Sequence, residues 1–479
     1  MEIKRNLTLL TDLYELTMMN GYLNKNKQDE IVIFDVFFRQ NELITYSLAA
    51  GLEQAIDYIL NLSFDEEDIS YLRKLKIFNE DFLSYLKGLK FTGDIYSVPE
   101  GTMVFPGEPI LTVKAPVIEA QLIETAILNI INHQTLIASK AAKIRHSAGN
   151  DLVMEFGLRR AQGPDAGIYG SRASVIGGCN STSNVLAGQM FDIPVSGTHA
   201  HSWVMSFDSE YEAFKAYADT YPDATLLLVD TYDVLKSGIP NAIKVFDELR
   251  TKGKKPIGIR LDSGDLAYLT KKARQMLDNA GYPDAIICAS GDLDEKLIQS
   301  LKLQGAKINS WGIGTKLITS ADMPALGGVY KLAGVVEKDG SIIPKIKISE
   351  TTAKITNPGF KKVMRIYDKK TGKAEADLIA LIEETFDSAK PLTITHPIET
   401  WKKITFTDYE IKELSVKIVE NGKLIYKFPT VKEIASFAKS EMESFWDEYL
   451  RLDRPHIYKV DLSDKLLQLK TEMLSSIRK

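Results

Sequence analysis

The hydrophobic pattern of the chain changes at about residue 151, where a regular alternation begins. From there to residue 314, short continuous apolar runs alternate with stretches whose apolar residues recur at helical spacing. The runs that we interpret as strands are 151–156, near 179–182, 193–197, 225–230, 256–262, 284–290 and 308–314. Continuous apolar strands separated by helices are typical of parallel strands that are covered on the outside. The pattern therefore predicts an α/β fold with an irregular, incomplete (β/α) barrel of about seven parallel strands, with an open doubly wound sheet as the alternative.

The residues on either side of this alternation indicate a second, mixed region. Before it we expect a helix from Thr11 or Asp12 to near Gly21, a strand over 31–38, helices through about residue 88, a small β-module near 90–115, and helix over 117–146. After it, turn residues and β-rich sequence to about residue 430 suggest a return to the β-module. The predicted domains are an N-terminal α+β domain (1–148), the barrel with the active site (149–325), a β-rich return to the first domain (326–430) and a helical C-terminal region (431–479).

Composition narrows the class of protein. Apolar residues make up 44% of the 479 positions, which excludes general disorder, and the net charge of −5 gives no support for broad nucleic-acid binding. Cys179 and Cys288 lie far apart and form neither a disulfide framework nor a zinc pattern. The first residues lack an apolar signal core, and no apolar run approaches membrane-spanning length. We therefore expect a soluble cytoplasmic protein without nucleic-acid or membrane partners.

Polar or glycine-rich clusters follow all seven predicted strands. Ligands of parallel α/β barrels bind at this end of the strands, where the connecting loops converge. The clusters are 156–160, 180–184, 198–201, 230–233, 260–265, 290–294 and 312–316. A barrel without a site would not need such a cluster after every strand. The sequence therefore predicts a binding site at this edge.

Three groups in these clusters suggest an anionic substrate: glycine-rich turns, arginines and aspartates. The glycine-rich turns with Gly291, Asp292, Gly312 and Gly314 can bind a phosphate through backbone N–H groups. The arginines that could bind carboxylate or phosphate are Arg159, Arg172 and Arg260. The aspartates that could orient a histidine, bind ribose hydroxyls or hold Mg²⁺ with phosphate oxygens are Asp230, Asp233, Asp262 and Asp265, although Asp265 and Asp294 could simply cap helices. Together they indicate a substrate similar to a sugar phosphate.

The third cluster carries two of the six histidines, His199 and His201, in the loop Ser196-Gly-Thr-His-Ala-His-Ser-Trp203. Histidine changes charge near neutral pH, so it is a candidate for acid/base or nucleophilic work. Taken alone, a loop histidine is more often an ordinary polar surface residue. The position of this loop among seven polar strand ends favours the functional interpretation.

Six segments in order resemble the nicotinate phosphoribosyltransferase family. They are Thr11-Asp-Leu-Tyr-Glu-Leu-Thr-Met18, Glu155-Phe-Gly-Leu-Arg-Arg-Ala-Gln-Gly-Pro-Asp165, Ser181-Thr-Ser-Asn-Val-Leu-Ala-Gly188, Gly197-Thr-His-Ala-His-Ser202, Arg260-Leu-Asp-Ser-Gly-Asp265 and Gly312-Ile-Gly-Thr315. The resemblance implies a type II phosphoribosyltransferase fold and the first step of NAD salvage. In that step nicotinate and phosphoribosyl pyrophosphate (PRPP) give nicotinate mononucleotide and pyrophosphate, coupled to ATP hydrolysis, with Mg²⁺ on PRPP, pyrophosphate and ATP.

The resemblance also implies roles for individual residues. His201 corresponds to the phosphorylated histidine, Asp230 would hold its imidazole, Asp262 would face the ribose, and His199 would be a supporting residue at most. Phe156 and Tyr14 would sandwich the pyridine ring, with Tyr14 coming from the partner subunit of a homodimer. The other substrate-binding candidates are Arg159, Arg172, Thr198, Arg260, Gly291, Asp292, Gly312 and Gly314, with Arg39 and Lys316 as further phosphate contacts. No metal site ligated directly by the protein is predicted.

Ser183 bears on the choice of substrate. The similar nicotinamide enzyme has an aspartate at the position that aligns with Ser183, where it accepts a hydrogen bond from the carboxamide. Serine can donate to a carboxylate, which favours nicotinate. The alternatives are a nicotinamide-specific or quinolinate-specific phosphoribosyltransferase, a phosphosugar lyase or isomerase on a barrel, and a non-catalytic PRPP or ATP sensor.

Overall fold

The computed structural model describes residues 5–40, 44–351 and 354–477. The chain divides into two compact units. The first unit comprises residues 1–136, 325–429 and 436–479, and the second comprises 137–324 and 430–435. In the described residues no helix is long and apolar enough to cross a membrane.

The N-terminal part of the first unit contains helices and two groups of short strands. The helices are α1 (Leu13–Asn24), α2 (Leu52–Leu60), α3 (Glu66–Lys74), α4 (Glu80–Lys87) and α5 (Val117–Leu122), and the strands are β1 (Ile31–Phe38), β2 (Ser47–Leu48), β3 (Asp94–Ser97), β4 (Met103–Val104) and β5 (Leu111–Pro116). Helix α6 (Glu124–Ala148) begins in the first unit and ends in the second. Helix α1 runs three residues past Gly21, where the sequence predicted its end. Tyr22 and Leu23 pack against the apolar core, which compensates the cost of about 1 kcal/mol for glycine inside a helix.

The second unit is built on a parallel sheet with helices between its strands. The strands are β6 (Leu152–Glu155), β7 (Ser181–Thr182), β8 (Leu226–Leu228), β9 (Gly258–Leu261), β10 (Ile286–Ala289) and β11 (Ser310–Ile313). The helices are α7 (Pro164–Ile176), α8 (Val185–Phe191), α9 (His201–Met205), α10 (Glu210–Thr220), α11 (Ile239–Thr251), α12 (Leu266–Asn279), α13 (Glu295–Leu303) and α14 (Thr315–Ile318), with a 3₁₀ turn at Leu158–Arg160 and a π turn at Val234–Gly238. The mixed α/β character expected from the alternation is confirmed.

The order of strands in this sheet is β7-β6-β11-β10-β9-β8, so the last strand pairs with the first. All five ladders are parallel, which brings the carboxyl ends of the strands to one edge. Six of the seven predicted strands form. The remaining one, 193–197, is reduced to an isolated parallel bridge between Val195 and Thr182. Pro194 has no N–H to donate, which limits ladder formation in this segment.

The rest of the chain supplies strands to two sheets of the first unit. The strands are β12 (Gly328–Val336), β13 (Ile342–Pro344), β14 (Lys361–Asp368), β15 (Ala374–Leu381), β16 (Leu392–Thr395), β17 (Lys403–Phe406), β18 (Tyr409–Glu413), β19 (Val416–Glu420), β20 (Lys423–Leu424) and β21 (Lys459–Leu462), and the helices are α15 (Val431–Glu443), α16 (Asp447–Leu450) and α17 (Asp464–Ile477). One sheet has the order β13-β12-β1-β5-β3-β19-β20 and the other β17-β16-β21-β15-β14-β18. The C-terminal region is therefore not wholly helical, because β21 lies inside a sheet.

A buried ionic cluster joins several elements of the first unit. The Arg365 guanidinium is fully buried and binds the Asp377 carboxylate through Nε and Nη2 at 2.9 and 2.7 Å. It also donates to Glu441 over 2.8 Å. Burial and the neighbouring charge of Asp377 raise the pKa of Glu108 well above its usual range. The guanidinium thus binds the carboxylates of Asp377 and Glu441, and the neighbouring Glu108 carboxyl group has a raised pKa.

Candidate active site

The carboxyl ends of β9 and β10 carry a connected set of polar side chains. Arg260, on β9, donates from Nε to the Ser290 hydroxyl over 2.8 Å and from Nη2 to Asp262 Oδ1 over 2.9 Å. Ser290 donates to the same carboxylate oxygen over 2.5 Å. Burial by itself would raise the pKa of Asp262, but the bonds from Ser290 and Arg260 lower it below the usual range. Asp262 is therefore an oriented carboxylate at neutral pH.

Asp230 follows β8 and joins this set from the neighbouring strand. Its side chain is 1% exposed. Oδ2 accepts the Asp262 amide over 2.9 Å and the Ser263 hydroxyl over 2.6 Å. Oδ1 is buried and accepts no hydrogen bond from the described residues. A buried carboxylate oxygen without a hydrogen-bond donor destabilises the fold. Oδ1 is therefore available to accept a hydrogen bond from a bound group.

His201 is the first residue of α9, and its side chain is 40% exposed. Its Nδ1 lies 3.0 Å from the Thr231 hydroxyl oxygen, within hydrogen-bond distance. Its Nε2 lies 3.9 Å from Asp230 Oδ1, which is an ion-pair distance but not a hydrogen bond. The hydrogen bond that the sequence led us to expect from Asp230 is thus made by Thr231. Asp230 turns its other oxygen toward Asp262 and Ser263 instead.

Phe156 lies at the end of β6, and its amide donates to the Ile313 carbonyl over 2.7 Å. The centre of the Arg260 guanidinium lies 5.6 Å from the centroid of the Phe156 ring, which places an aromatic face beside the Arg260–Asp262 pair. On β11, a Cβ at Gly312 would lie 2.7 Å from two ring atoms of Phe156. Glycine at 312 therefore makes room for this ring.

Glu155, which the sequence did not single out, organises the end of β6. It is fully buried, and its carboxylate accepts bonds from the Gly157 amide and from the hydroxyls of Ser171 and Thr182. Its backbone carbonyl accepts the Ser183 amide over 2.9 Å. The backbone beside Ser183, the residue expected to discriminate acid from amide, is therefore fixed by Glu155.

The predicted phosphate-binding turns differ in how they are built. Gly291 has a φ of 93°, and a Cβ there would lie 2.5 Å from the Asp262 carbonyl, so only glycine fits. Asp292 is exposed beside it. Gly314 precedes α14, and Lys316 lies 3.4 Å from Asp294.

The remaining arginines and aspartates at this edge of the sheet differ in their exposure and in their contacts. Arg159 is exposed in the 3₁₀ turn, whereas Arg172 is 2% exposed inside α7 with its guanidinium 5.8 Å from the Phe191 ring centroid. The aspartates that cap a helical segment through their side chains are Asp233, Asp265 and Asp294. For the two residues where capping was the simpler interpretation, Asp265 and Asp294, capping is what the structure shows.

Thr198 and His199 face β8. The Thr198 hydroxyl donates to the Leu226 carbonyl, and the Leu228 amide donates to His199 Nε2 over 3.2 Å. Burial lowers the pKa of His199 to about 4, so its imidazole is neutral near pH 7.

Tyr14 and Arg39 belong to the first unit. Tyr14 is 48% exposed on α1, and the apolar side chains exposed near it are Leu10, Leu13 and Met18. Arg39 directly follows β1, and its Nε is buried without an acceptor among the described residues.

Three hydroxyl residues of the site, Thr231, Ser263 and Ser290, were missed from the sequence, although Ser183 and Thr198 were named. Thr231 touches His201, Ser290 links Arg260 to Asp262, and Ser263 binds Asp230. Thr231 and Ser263 directly follow the predicted aspartates Asp230 and Asp262, and Ser290 is the last residue of a predicted strand. That position was the available signal, but serine and threonine are common in any loop.

The parallel sheet and its strand-end cluster of arginine, aspartate and histidine define an α/β protein with a candidate active site at the carboxyl ends of its strands. Three family models match the chain: the nicotinate phosphoribosyltransferase (NAPRTase) N-terminal domain over 9–132, the NAPRTase family over 152–365, and the nicotinate phosphoribosyltransferase C-terminal domain over 360–470. The chain belongs to the nicotinate phosphoribosyltransferase family.

Relatives and solved structures agree with this assignment. A nicotinate phosphoribosyltransferase of Bacillus subtilis is 48% identical over 99% of this chain and 96% of its own length. One of Caenorhabditis elegans is 36% identical over 96% and 92%. The crystal structure of human nicotinic acid phosphoribosyltransferase superposes with a TM-score of 0.85 at 30% identity, covering 97% of this chain and 99% of the human one.

Proposed function

We propose that this chain is an ATP-coupled nicotinate phosphoribosyltransferase that makes nicotinate mononucleotide from nicotinate and PRPP in the cytoplasm. The observation that carries the proposal is the Arg260–Asp262–Ser290 set, fixed beside Asp230, His201 and Phe156 at one sheet edge. A cationic guanidinium, oriented carboxylates and an aromatic face suit a substrate pair of phosphorylated sugar and aromatic acid. The family assignment supports the same reaction.

In the proposed transfer, the pyridine nitrogen of nicotinate forms a bond to C1 of PRPP as the bond from C1 to pyrophosphate breaks. Positive charge builds up on the ribose in the transition state, so the oriented carboxylate of Asp262 would stabilise it and bind ribose hydroxyls. Phe156 would stack on the pyridine ring, with Tyr14 of a partner subunit on the other face. Arg159 and Arg260 would bind substrate anions. The turns at Gly291, Asp292, Gly312 and Gly314 would bind the 5′-phosphate, with Arg39 and Lys316 as further contacts.

In the proposed ATP step, a ring nitrogen of His201 attacks the γ-phosphorus and ADP leaves. Water later hydrolyses the phosphohistidine to phosphate. Thr231 and Asp230 would orient the imidazole, since they lie 3.0 and 3.9 Å from its two nitrogens. ATP and water are thus converted to ADP and phosphate, while nicotinate and PRPP give mononucleotide and pyrophosphate.

Mg²⁺ would enter with the phosphate groups of PRPP, pyrophosphate and ATP. Within the described residues there is no group of three or more His, Cys, Asp or Glu side chains that could hold a metal alone. The free Oδ1 of Asp230 and the carboxylate of Asp262 fit a Mg²⁺ ion held mainly by substrate phosphate oxygens. Bound there, the ion would neutralise charge on the leaving pyrophosphate.

Two further features belong to the proposal. The strand order, in which the first and last strands pair, is the order expected for an irregular barrel that is open between Val195 and β8. The exposed apolar face of α1 around Tyr14 is compatible with a homodimer whose subunits share active sites.

A product assay with nicotinate and PRPP, with and without ATP, tests the function. We expect nicotinate mononucleotide in both, with more product in the presence of ATP, and slower turnover of nicotinamide because Ser183 can donate to a carboxylate. His201→Ala should abolish the ATP stimulation and leave slow transfer. Faster turnover of nicotinamide, or binding of PRPP without any product, would contradict the proposal.

A further inference from the structure

The interval between Val195 and β8 is spanned by side chains rather than by a ladder. Val195 bridges Thr182 on one side, and β8 pairs with β9 on the other. Within the described part of the chain, no backbone hydrogen bond joins residues 193–200 to β8. The bonds that cross are those from Thr198 to the Leu226 carbonyl and from the Leu228 amide to His199.

The two backbone groups of β8 in these bonds, the accepting Leu226 carbonyl and the donating Leu228 amide, are the pair that a neighbouring parallel strand would use. A residue opposite Leu227 in a parallel ladder would donate to the carbonyl of residue 226 and accept the amide of residue 228. The Val229 amide donates to the Arg260 backbone carbonyl over 3.0 Å on the β9 side. Because successive amides of a strand alternate in direction, the Leu228 amide points to the opposite edge.

The surroundings of His199 favour a neutral imidazole that can accept a hydrogen bond. His199 is 7% exposed. Its ring centroid lies 4.8 Å from that of Tyr217, with the two rings steeply inclined, and 6.0 Å from that of Phe214, and both aromatic residues are on α10. Burial, with smaller contributions from the charges of Arg260 and His201, lowers its pKa to about 4. A neutral imidazole can leave Nε2 unprotonated, so that it accepts the Leu228 amide.

We propose that His199 is a positioning residue for His201. With the Thr198 hydroxyl, its Nε2 takes the place of one missing residue of a parallel strand and fixes the start of α9 against β8. Ala200, the residue between the two histidines, is the N-cap of α9, so a shift of His199 is transmitted directly to His201. The effect on function rests on the proposed phosphorylation of His201. The two side-chain hydrogen bonds that join Thr198 and His199 to β8, which we call the bridge, do not depend on that phosphorylation.

The bridge is tested by amide hydrogen exchange at Leu228 in His199→Leu and His199→Gln. Glutamine carries an oxygen the same number of bonds from Cα as Nε2, so it can accept the Leu228 amide, whereas leucine cannot. We expect exchange at Leu228 to be about tenfold faster in His199→Leu and close to wild type in His199→Gln. His146→Leu, at an exposed histidine of α6, is the control and should leave this amide unchanged.

The positioning is tested by the rate at which γ-labelled ATP labels His201 in the same full-length variants. We expect His199→Leu to label about tenfold more slowly with an unchanged KM for ATP, and His199→Gln to recover most of the rate. If His199→Leu does not fold, His199→Asn, whose oxygen is one bond shorter, replaces it with the same expectation.

Each possible result bears on a different claim. Wild-type exchange at Leu228 in His199→Leu would overturn the bridge, and fast exchange with an unchanged labelling rate would overturn the positioning. A wild-type protein that makes product but never carries label would refute the phosphohistidine step and with it the positioning role. The exchange comparison would still decide the bridge in that case.

Discussion

Thr231 is the residue whose hydroxyl contacts His201 directly, at 3.0 Å from Nδ1. Thr231→Val keeps the shape of the side chain and removes the hydroxyl. A neutral hydrogen bond contributes about 0.5–1.5 kcal/mol, so we expect the proposed phosphorylation of His201 by γ-labelled ATP to slow about 2- to 10-fold. Rapid-quench measurement of acid-labile label gives this rate.

Thr231→Ser is the matched control, because it keeps the hydroxyl and should label at nearly the wild-type rate. Asp230→Asn should be slower than Thr231→Val, since it removes the buried charge that lies 3.9 Å from the imidazole. Equal rates for Thr231→Val and wild type would show that Asp230 alone orients the ring.

The charged members of the site were predictable from the sequence, and their partners were not. Asp230, Arg260 and Asp262 each stand at the end of an apolar run, so their position followed from the pattern. Which atoms they bond depends on the offset of neighbouring strands, as in the bond from the Asp262 amide to Asp230. Sequence spacing within one strand contains no information about that offset.

At the scale of elements, the approach of β11 to the end of β6 controls Phe156. Gly312→Ala would place a methyl group 2.7 Å from the Phe156 ring and 3.3 Å from Ser290 Cβ. We expect the KM for nicotinate to rise about tenfold as the ring is displaced, with a smaller effect on PRPP. Steady-state kinetics with each substrate varied in turn measure this difference.

Gly88→Ala is the control for that substitution. Its Cβ would lie 3.9 Å from the nearest atom, the Tyr85 carbonyl oxygen, and its φ of −98° suits any residue. Its kinetics should equal those of wild type. An unchanged KM for nicotinate in Gly312→Ala would argue against Phe156 as a stacking partner.

Elements buried on both faces were predicted well, and those that depend on distant partners were not. The apolar runs of β8, β9, β10 and β11 indicated strands because parallel strands are covered by helices. Strand β21 was missed since its Lys-Val-Asp-Leu sequence gives a weak signal; it is a strand because Ala376–Ile379 of β15 pair with it. Segment 193–197 was predicted as a strand but forms only an isolated bridge, because Pro194 has no N–H to donate to a ladder.

The ionic cluster around Arg365 makes the stability of the first unit depend on pH. The raised pKa of Glu108 means that the folded state binds a proton that the unfolded state releases above about pH 4.5. Stability from this group is therefore present below the unfolded pKa and is lost as pH rises toward the folded one. Relative to wild type, Glu108→Gln should gain up to about 1.4 kcal/mol of unfolding free energy per pH unit over that window.

Urea unfolding of both proteins at several pH values between 5 and 9 measures the difference. Glu383→Gln, which changes a glutamate outside the cluster, should show a constant difference from wild type. A constant difference for Glu108→Gln as well would mean that Glu108 does not retain its proton in the fold.

At the scale of the whole molecule, the two residues expected to stack on the pyridine ring belong to different units of the chain. Tyr14 lies on α1 in the first unit, and Phe156 lies at the end of β6 in the second. The exposed apolar residues around Tyr14 give α1 a face that a second copy could cover. If the ring is bound between subunits, each active site of a homodimer takes one stacking residue from each copy.

Mixing two variants, each with weakened nicotinate binding, tests this shared site. Tyr14→Ala and Phe156→Ala should each bind nicotinate weakly. After co-refolding in equal amounts, half of the dimers contain one copy of each variant, and one of their two sites has both aromatic residues. About a quarter of the wild-type activity should therefore return. Sedimentation should show a dimer throughout; no recovery from a mixed dimer would mean that both rings come from the same chain.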